Sequence, residues 1–466
     1  MESVLYEVFR GCGERIVTDS RQCKSGGLFF ALKGDKFDGN RFAETALESG
    51  CCAAVVDDAS CYKPDGRYFL VDNVLETLQN LAALHRESLA AEGLQVLAIT
   101  GTNGKTTTKE LIRATLVEKF GESCAATTGN LNNDIGVPLT LLGTRRGTSI
   151  LALEMGASHP GDIGRLAAIA HPDCGLITNI GRGHLEGFGS RDIVLRTKKE
   201  LFDALRQRAE SFVFVNSDDA ELMQAAAGLR KITYGTAETA SVTGRLLSCN
   251  PCMVFEWRPG REHSFEGIKD GKYVVETHLV GDYNLYNALA AVATGCFYGV
   301  SAEAICRGIA GYQPSNSRSQ MQKTGRNVLF VDAYNANPDS MIASLRNFTA
   351  VPAEHKAVIL GDMLELGAES ASLHAEIIQL VDCTFFEKVY LCGKEFFNCA
   401  DERSFVRDFP VSVTSCFSRD NANPQIRCFR ETDELVEELR RNPPEGYHIL
   451  IKGSRGMCLE KVIPFL

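Results

Sequence analysis

The chain alternates continuous apolar runs with longer segments in which apolar positions recur every three or four residues. Between residues 94 and 216 the continuous runs are LQVLAITG, SILALEMGA, CGLITNIG and SFVFVN. Continuous rather than alternating apolar strands indicate a parallel sheet that is covered on both faces by helices. This part of the chain therefore predicts an α/β unit built on a parallel sheet.

Three further regions lie outside this unit. The N-terminal region holds the short strand-like runs GGLFFAL, CAAVVD and RYFLV and ends in a helical stretch closed by Gly93. Residues 240–280 alternate apolar and polar positions, which is typical of an antiparallel ribbon. Beyond Pro314, four more buried strand patterns are separated by helical segments. We predict three α/β domains, at residues 1–92, 93–313 and 314–466.

Composition narrows the classes of function that the chain can serve. Its 466 residues are 44% hydrophobic and 23% charged, with a formal net charge of −10. A nucleic-acid-binding protein usually presents a basic face, so nucleic acid is not an expected partner. No apolar run approaches the roughly 20 residues of a membrane span, and no signal-peptide pattern opens the chain. The 17 cysteines are irregularly spaced and fit small core residues in a reducing compartment.

A glycine-rich loop carries the clearest chemistry. The apolar run VLAIT leads into TGTNGKTT at residues 100–107, and a helical pattern follows. Such a turn directs backbone N–H groups and the positive end of a helix dipole at an anion. Gly101 and Gly104 permit close approach, Lys105 supplies a charge for β- and γ-phosphates, and Thr106 supplies a hydroxyl for Mg²⁺. The loop predicts a nucleotide site, with a spacing shorter than the usual one.

Other candidate residues follow strands or lie in polar loops, and each has a plainer alternative. Glu154 ends an apolar strand, where a carboxylate either holds Mg²⁺ or is simply solvated. His184 lies in a later glycine loop, and a lysine pair at 198–199 lies on the next helix; both patterns also occur on ordinary surfaces. Asn284 and Asn287, one helical turn apart, either pair with an adenine edge or cap the helix.

Taken in order, the motifs resemble the Mur ligase family, and within it the branch that adds D-alanyl-D-alanine. The resemblance covers nearly the whole chain, through TDSR, TGTNGKTTTKE, NNDIGVPLTLL, EMGASHPGDI, TNIGRGHLEGFGS, YNANPDSM, LGDMLELG and KGSR. It implies three parts: a small α/β UDP-binding domain, a central P-loop ATPase domain with a parallel sheet, and a C-terminal Rossmann-like α/β domain. It also implies a cytoplasmic, monomeric ligase that adds the dipeptide to UDP-N-acetylmuramoyl-tripeptide through an acyl phosphate, using ATP and Mg²⁺, in peptidoglycan precursor synthesis.

The resemblance also assigns expected roles to individual residues. The expected catalytic residues are Lys105, Glu154, His184 and Lys198, the last as a carbamylated lysine, and the expected metal ligands are Thr106, Glu154, His184 and Lys198. The expected nucleotide contacts are Gly101, Thr102, Asn103, Gly104, Lys105, Thr106, Thr107, Asn284, Asn287, Arg318 and Asp332. The expected substrate contacts are Thr18, Asp19, Ser20, Arg21, Asn132, Asn133, Tyr334 and Asn335, and the candidates for gripping the dipeptide are His374 and Met363. The chain departs from the family pattern at Tyr283, Ser317 and Val331, where His, Gly and Asp are usual.

Other interpretations stay open at this point. A sister ligase that adds one amino acid, or a folylpolyglutamate-synthase-like ligase, would share the ATP loop and the lysine. The DNPR motif associated with addition of diaminopimelate is absent. A nucleotide-dependent switch would need the loop, but it would not need Glu154, His184 and Lys198 together. Because an acyl phosphate must be shielded from water, we also expect domain closure over ATP and an open form without ligands.

Overall fold

Three sheets flanked by helices organise the protein. The computed structural model describes residues 2–23, 26–34, 37–261, 263–315, 317–382, 384, 386–401 and 425–466. Most neighbouring strands in these sheets run parallel. The predicted α/β class is confirmed.

The N-terminal sheet is small and wholly parallel. The elements are α1 (Glu2–Gly11), β1 (Ile16–Val17), β2 (Leu28–Phe30), β3 (Lys33–Gly34), β4 (Phe37–Asp38), α2 (Ala43–Glu48), β5 (Ala53–Val56), β6 (Tyr68–Leu70) and α3 (Val74–Ala91). The strand order is β1-β2-β5-β6, and β3 pairs with β4 as a separate antiparallel hairpin. Asn73 caps α3, because its side chain accepts a hydrogen bond from the backbone N–H of Glu76.

The central sheet has nine strands in the order β15-β14-β13-β12-β11-β10-β7-β9-β8. Its elements are β7 (Gln95–Thr100), α4 (Lys105–Phe120), β8 (Cys124–Ala126), α5 (Gly136–Leu142), β9 (Ile150–Glu154), α6 (Asp162–Ala170), β10 (Cys174–Ile177), α7 (Leu185–Phe188), α8 (Arg191–Arg206), β11 (Phe212–Asn216), α9 (Ala220–Ala225), β12 (Lys231–Gly235), β13 (Val242–Cys249), β14 (Cys252–Pro259), β15 (Tyr273–Val280), α10 (Asn284–Phe297) and α11 (Ala302–Gly311). The continuous apolar runs form parallel strands β7, β9, β10 and β11. The alternating region forms the antiparallel strands β13 to β15, which extend the same sheet.

The C-terminal sheet has six strands in the order β16-β17-β21-β18-β19-β20. Its elements are β16 (Gln320–Lys323), β17 (Val328–Asp332), α12 (Pro338–Ala350), β18 (Lys356–Gly361), α13 (Ser370–Asp382), β19 (Lys388–Cys392), α14 (Lys394–Asp401), β20 (Gln425–Phe429), α15 (Thr432–Arg441) and β21 (His448–Lys452). Only the edge strand β16 is antiparallel to its neighbour. Strands β17 and β21 are parallel neighbours, so their carboxyl ends lie side by side and Asp332 lies opposite Lys452.

Helix α3 joins the N-terminal sheet to the central one. It packs against α1 on one side and against α5 and α6 on the other, and one apolar core continues from Phe9 through Leu78 to Leu151. Helix α10 is buried along most of its length between the central sheet and α4. Within the described ranges, no helix combines the length and apolar character needed to cross a bilayer.

Arg86 on α3 is a buried cation at this junction. Its side chain is 1% exposed, and Nη2 donates to Oδ2 of Asp173 at 2.7 Å and to the carbonyl of His171 at 3.0 Å. Nε donates to the carbonyl of Ala170 at 3.0 Å. The carboxylate of Asp173 also accepts the backbone N–H of Val96 at 2.7 Å. One guanidinium thus ties α3 to the segment after α6 and to the start of β7.

We expect Arg86→Ala to lower the free energy of unfolding by about 3 kcal/mol, since truncation leaves buried acceptors without donors. Arg208 contacts the same carboxylate, but its side chain is 41% exposed. Arg208→Ala is the matched control and should cost under ~1 kcal/mol. Urea unfolding followed by circular dichroism measures both, and equal losses would contradict the role of Arg86.

Candidate active site

Two glycines shape the loop between β7 and α4. Gly101 has φ of 141° and Gly104 has φ of 78°, and residues that carry a side chain rarely adopt either backbone conformation. A Cβ at Gly101 would lie 2.0 Å from Oγ1 of Thr178, and one at Gly104 would lie 2.6 Å from Oδ1 of Asn287. Glycine is therefore required at both positions by conformation and by space.

The segment after β10 holds this loop in place. The backbone N–H of Thr102 donates to the carbonyl of Asn179, and that of Asn103 donates to Oδ1 of Asn179, both at 3.0 Å. The carbonyl of Asn103 accepts Oγ1 of Thr178 at 2.6 Å and Nδ2 of Asn179 at 3.0 Å. The loop is a fixed structure whose following helix, α4, begins at Lys105.

Lys105 folds back over the loop. Nζ donates to the carbonyls of Gly101 at 2.8 Å and Thr102 at 2.9 Å. Burial, partly offset by the charge of Glu154, lowers the pKa of Lys105 to about 8. A phosphate in the loop would supply the negative charge that this ammonium lacks here.

The structure brings Thr106 and Glu154 together. Glu154, at the end of β9, is 2% exposed. Its Oε2 accepts Oγ1 of Thr106 at 2.9 Å, and its Oε1 accepts Nδ2 of Asn132 at 2.8 Å. Asn133, the next residue, instead stabilises its own loop by accepting the backbone N–H of Gly136 at 2.9 Å. A buried carboxylate beside a threonine hydroxyl provides hard oxygen ligands next to the phosphate loop.

Lys198 is a buried amine near this edge of the sheet. It is 2% exposed on α8, whereas Lys199 is half-buried. Nζ lies 3.5 Å from the carbonyl of Ala157 and 5.5 Å from the centre of the Phe188 ring. Burial, together with the charge of Lys105, holds the pKa of Lys198 well below its usual value. Ala157 lines the cavity described below, and Lys198 lies behind that lining.

His184 contacts a residue from the C-terminal part of the chain. It has φ of 55° immediately before α7, and its buried Nδ1 contacts Oε2 of Glu365. This contact with His184 outweighs burial and lowers the pKa of Glu365. The Phe188 ring lies edge-on to the imidazole, at 6.5 Å between centres.

Asn284 and Asn287 lie in the first turn of α10. Nδ2 of Asn287 donates to Oδ1 of Asn284 at 2.9 Å, and Nδ2 of Asn284 donates to the carbonyl of Val280 at 2.8 Å. Oδ1 of Asn287 accepts Oγ1 of Thr108 at 3.0 Å. Both amides are therefore fixed by α4 and α10 where they border the loop.

The C-terminal part contributes Arg318, whose Nε–H donates to no described residue. The guanidinium of Arg318 lies 3.6 Å from the centre of the Tyr334 ring, and its buried Nε has no hydrogen-bond partner among the described residues. Asp332, in contrast, accepts Nζ of Lys452 at 2.5 Å and Oγ of Ser344 at 3.1 Å. Burial opposes the charge of Asp332, but these partners outweigh it and lower the pKa of that carboxyl. Arg318 is thus free to meet an anion, while Asp332 is already paired.

A cavity of about 950 Å³ lies between the central and C-terminal parts. Its lining includes these sequence-predicted residues: Thr102, Asn103, Gly104, Lys105, Thr106, Thr107, Asn132, Asn133, Glu154, His184, Asn284, Asn287, Arg318, Asp332, Tyr334 and Asn335. Gly101 lies beneath this lining, against Thr178.

Contacts between the two parts close one side of this cavity. Nδ2 of Asn337 donates to Oδ1 of Asn103 at 2.7 Å. Arg182 donates through its backbone N–H at 2.7 Å and through Nε at 2.8 Å to Asp339, and through Nη1 at 3.2 Å to Glu376. The central and C-terminal parts are thus in contact, whereas an open arrangement was expected without ligands. Charges of opposite sign, Arg182 against Asp339 and Glu376, hold the two parts together.

Other predicted residues lie elsewhere. Residues 18–21 are outside the cavity lining, and Asp19 accepts hydrogen bonds from the backbone N–H and guanidinium of Arg21. His374 is fully buried: Nε2 accepts the backbone N–H of Met363 at 3.0 Å, and Nδ1 donates to the carbonyl of Ser370 at 2.7 Å. With both ring nitrogens engaged and Met363 only 1% exposed, neither residue can grip a dipeptide, so that expectation is wrong. Leu364 and Glu365 from the same motif line the cavity instead.

Three sequence-family models match consecutive parts of the chain. Residues 14–86 match the Mur ligase family, catalytic domain. Residues 99–295 match the Mur ligase middle domain. Residues 317–455 match the Mur ligase, glutamate ligase domain.

Named relatives cover almost the whole chain. The UDP-N-acetylmuramoyl-tripeptide–D-alanyl-D-alanine ligase of Bacillus subtilis is 33% identical over 452 residues, which is 96% of this chain and 92% of the relative. A crystal structure of MurF from Acinetobacter baumannii superposes with a TM-score of 0.80 at 28% identity, covering 97% of this chain and 92% of that one. The MurF ligase of Thermotoga maritima in complex with ADP gives a TM-score of 0.79 at 26% identity, covering 97% and 96%.

We expect Arg182→Glu to open the cavity in solution, because it places a third carboxylate beside Asp339 and Glu376 and like charges in an interface repel. Small-angle scattering without ligands should give a larger radius of gyration than the parent. The charge-swapped Arg182→Glu/Asp339→Arg double variant is the matched control and should return toward the parental profile. Identical profiles for the parent and Arg182→Glu would show that these charges do not hold the two parts together.

Proposed function

The chain belongs to the Mur ligase family, and on that premise we propose that it joins D-alanyl-D-alanine to UDP-N-acetylmuramoyl-tripeptide at the expense of ATP. The observation that carries this proposal is the cavity itself. A phosphate loop, the Thr106–Glu154 pair and a cation with an unused donor, Arg318, converge there from two parts of the chain. The names of the full-length relatives support the choice of substrates.

The reaction explains why the cavity collects positive charge. A carboxylate is inert to amines, so its oxygen first attacks the γ-phosphorus of ATP, forming an acyl phosphate as ADP leaves. The dipeptide amine then attacks the acyl carbon, inorganic phosphate leaves, and the amine gives up a proton. The first step brings two anions together, and the loop N–H groups, Lys105 and Arg318 offset their repulsion.

The residues present fit Mg²⁺ that arrives with a nucleotide. Among the described residues, no three His, Cys, Asp or Glu side chains form a ready-made metal cluster. Mg²⁺ is usually held by one or two carboxylates together with substrate phosphates, and Glu154 with Thr106 matches that arrangement. We propose these two residues and His184 as its ligands, and its charge would neutralise phosphate oxygens.

The environment of Lys198 supports carbamylation. Carbamylation joins the neutral amine to CO₂ and releases a proton, and a low pKa favours the neutral amine. The product exchanges a cation, which Lys105 repels, for an anion that Lys105 attracts. A carbamate also offers oxygen ligands of the kind that Mg²⁺ prefers.

Several finer points remain predictions. These are the domain boundaries at 92/93 and 313/314, the contacts of Thr18, Asp19, Ser20 and Arg21 with the UDP moiety, the monomeric state and the cytoplasmic location. A nucleotide-dependent switch would not require the buried Lys198 beside the cavity. A ligase that adds one amino acid would use the same cavity, so the amine donor must be tested directly.

We expect phosphate release from ATP only when both a UDP-linked muramyl tripeptide and D-alanyl-D-alanine are supplied. The amine must attack the acyl carbon to complete turnover, so omission of either substrate should leave only background hydrolysis. A panel of amines, with L-lysine, diaminopimelate and L-glutamate as controls and the matching shorter precursors as acceptors, measures the preference. Turnover with a single amino acid instead of the dipeptide would redirect the assignment to a sister ligase, and nucleotide hydrolysis without either substrate would favour a switch.

We expect Lys198→Arg to lower kcat by about 100-fold or more, because arginine keeps the positive charge and does not form the carbamate. The half-buried Lys199→Arg is the matched control and should stay near the parent. Carbon-13 spectra with labelled bicarbonate should show a carbamate signal in the parent and in Lys199→Arg, and none in Lys198→Arg. Near-parental turnover by Lys198→Arg would refute the role of the carbamate.

A further inference from the structure

The contact between His184 and Glu365 is not used by any step of the proposed reaction. His184 follows β10 of the central sheet, and Glu365 lies in the LGDMLELG segment, residues 360–367, which starts in β18 of the C-terminal sheet and continues beyond it. Oε2 of Glu365 contacts the buried Nδ1 of His184, and this nitrogen has no regular hydrogen bond to any described residue. We therefore ask what this contact does to the two ring nitrogens of His184.

The backbone around Glu365 is fixed from both sides. Its carbonyl accepts the backbone N–H of Glu186 at 3.0 Å, two residues after His184. Leu364 donates its backbone N–H to Oγ of Ser454 at 2.9 Å. Glu365 itself has φ of 63°, an uncommon conformation for a non-glycine residue that the surrounding contacts must maintain. The carboxylate is thus delivered to His184 by an anchored turn.

We propose that Glu365 is a positioning residue for His184: its carboxylate accepts a hydrogen bond from Nδ1–H, so that Nε2 keeps its lone pair for a metal ion. A neutral imidazole has one N–H and one lone pair, and the partner of one nitrogen decides the state of the other. Histidines that bind metals commonly donate their second nitrogen to a carboxylate. This inference rests on the proposed function, which makes His184 a ligand of magnesium.

The position of Glu365 couples this effect to domain closure. Because Glu365 belongs to the C-terminal sheet, His184 has its partner only while the two parts of the chain are in contact. Phe188 lies edge-on to the imidazole and also beneath Nζ of Lys198, 5.5 Å from the ring centre. A rotation of the His184 ring would therefore disturb the surroundings of both expected metal ligands.

The test compares Mn²⁺ binding, followed by electron paramagnetic resonance with ADP and bicarbonate present, among variants of the full chain. We expect Glu365→Ala to weaken binding about tenfold, at the lower end of the usual effect of such partners, because the Glu365 side chain is 57% exposed. Glu365→Gln should recover part of the loss, since its amide oxygen still accepts from Nδ1. Glu369→Gln, which removes an exposed carboxylate from the turn that follows this segment, should bind like the parent.

A second readout does not depend on metal or turnover. Nitrogen-15 spectra of labelled histidines, with His184 assigned from a His184→Ala spectrum, should show the Nδ1–H tautomer in the parent and its loss in Glu365→Ala. Parental Mn²⁺ affinity and an unchanged tautomer in Glu365→Ala would overturn the inference while leaving the proposed function intact. Parental Mn²⁺ affinity in His184→Ala would overturn the inference together with the proposed metal site.

Discussion

The repulsion between a substrate carboxylate and the γ-phosphate of ATP is the constraint on which the proposed function and the arrangement of the cavity depend. Positive charge must converge on one point, yet a single loop offers only Lys105 and its backbone N–H groups. A further cation, Arg318, comes from the C-terminal part, and its buried Nε has no hydrogen-bond partner among the described residues. Neither part holds the complete set of donors, so the reaction that we propose requires both parts to meet around the nucleotide.

Two lysines near the same strand ends add to this constraint. Lys198 is buried and Lys105 is half-buried, and the charge of Lys105 disfavours a charge on Lys198. Holding two ammonium groups away from water without matched anions would cost several kcal/mol. Anionic phosphate at Lys105 and a carbamate at Lys198 would each relieve the cost. A chain used only to bind a nucleotide would have no need of the second lysine.

The sequence predicted much of this arrangement because local patterns specify it. Continuous apolar runs identified the parallel strands, the alternating region identified β13 to β15, and the glycines at 101 and 104 lie where positive φ and tight packing demand them. What it missed depends on long-range contacts. The pairing of Arg182 with Asp339 spans 157 residues, and that of Asp332 with Lys452 spans 120; no local pattern encodes either. Asn337 caps α12 and Pro338 occupies its first turn, but nothing in this local pattern indicates the contact of Asn337 with the phosphate loop. His374 was a candidate for binding the dipeptide because its position in the sequence does not show whether a histidine is buried or exposed.

The interface that closes the cavity is suited to opening again. The side chains of Arg182, Asp339 and Glu376 are 32%, 37% and 29% exposed, and pairs of this kind are worth about 0–1 kcal/mol each. The amide pair of Asn103 and Asn337 is neutral, so water can replace it at little cost. A few such contacts favour the closed form by only a few kcal/mol, enough to shield an acyl phosphate while it exists. An interface held by a large apolar surface would protect the intermediate equally well, but it would slow the release of ADP and product, which requires the same two parts to separate.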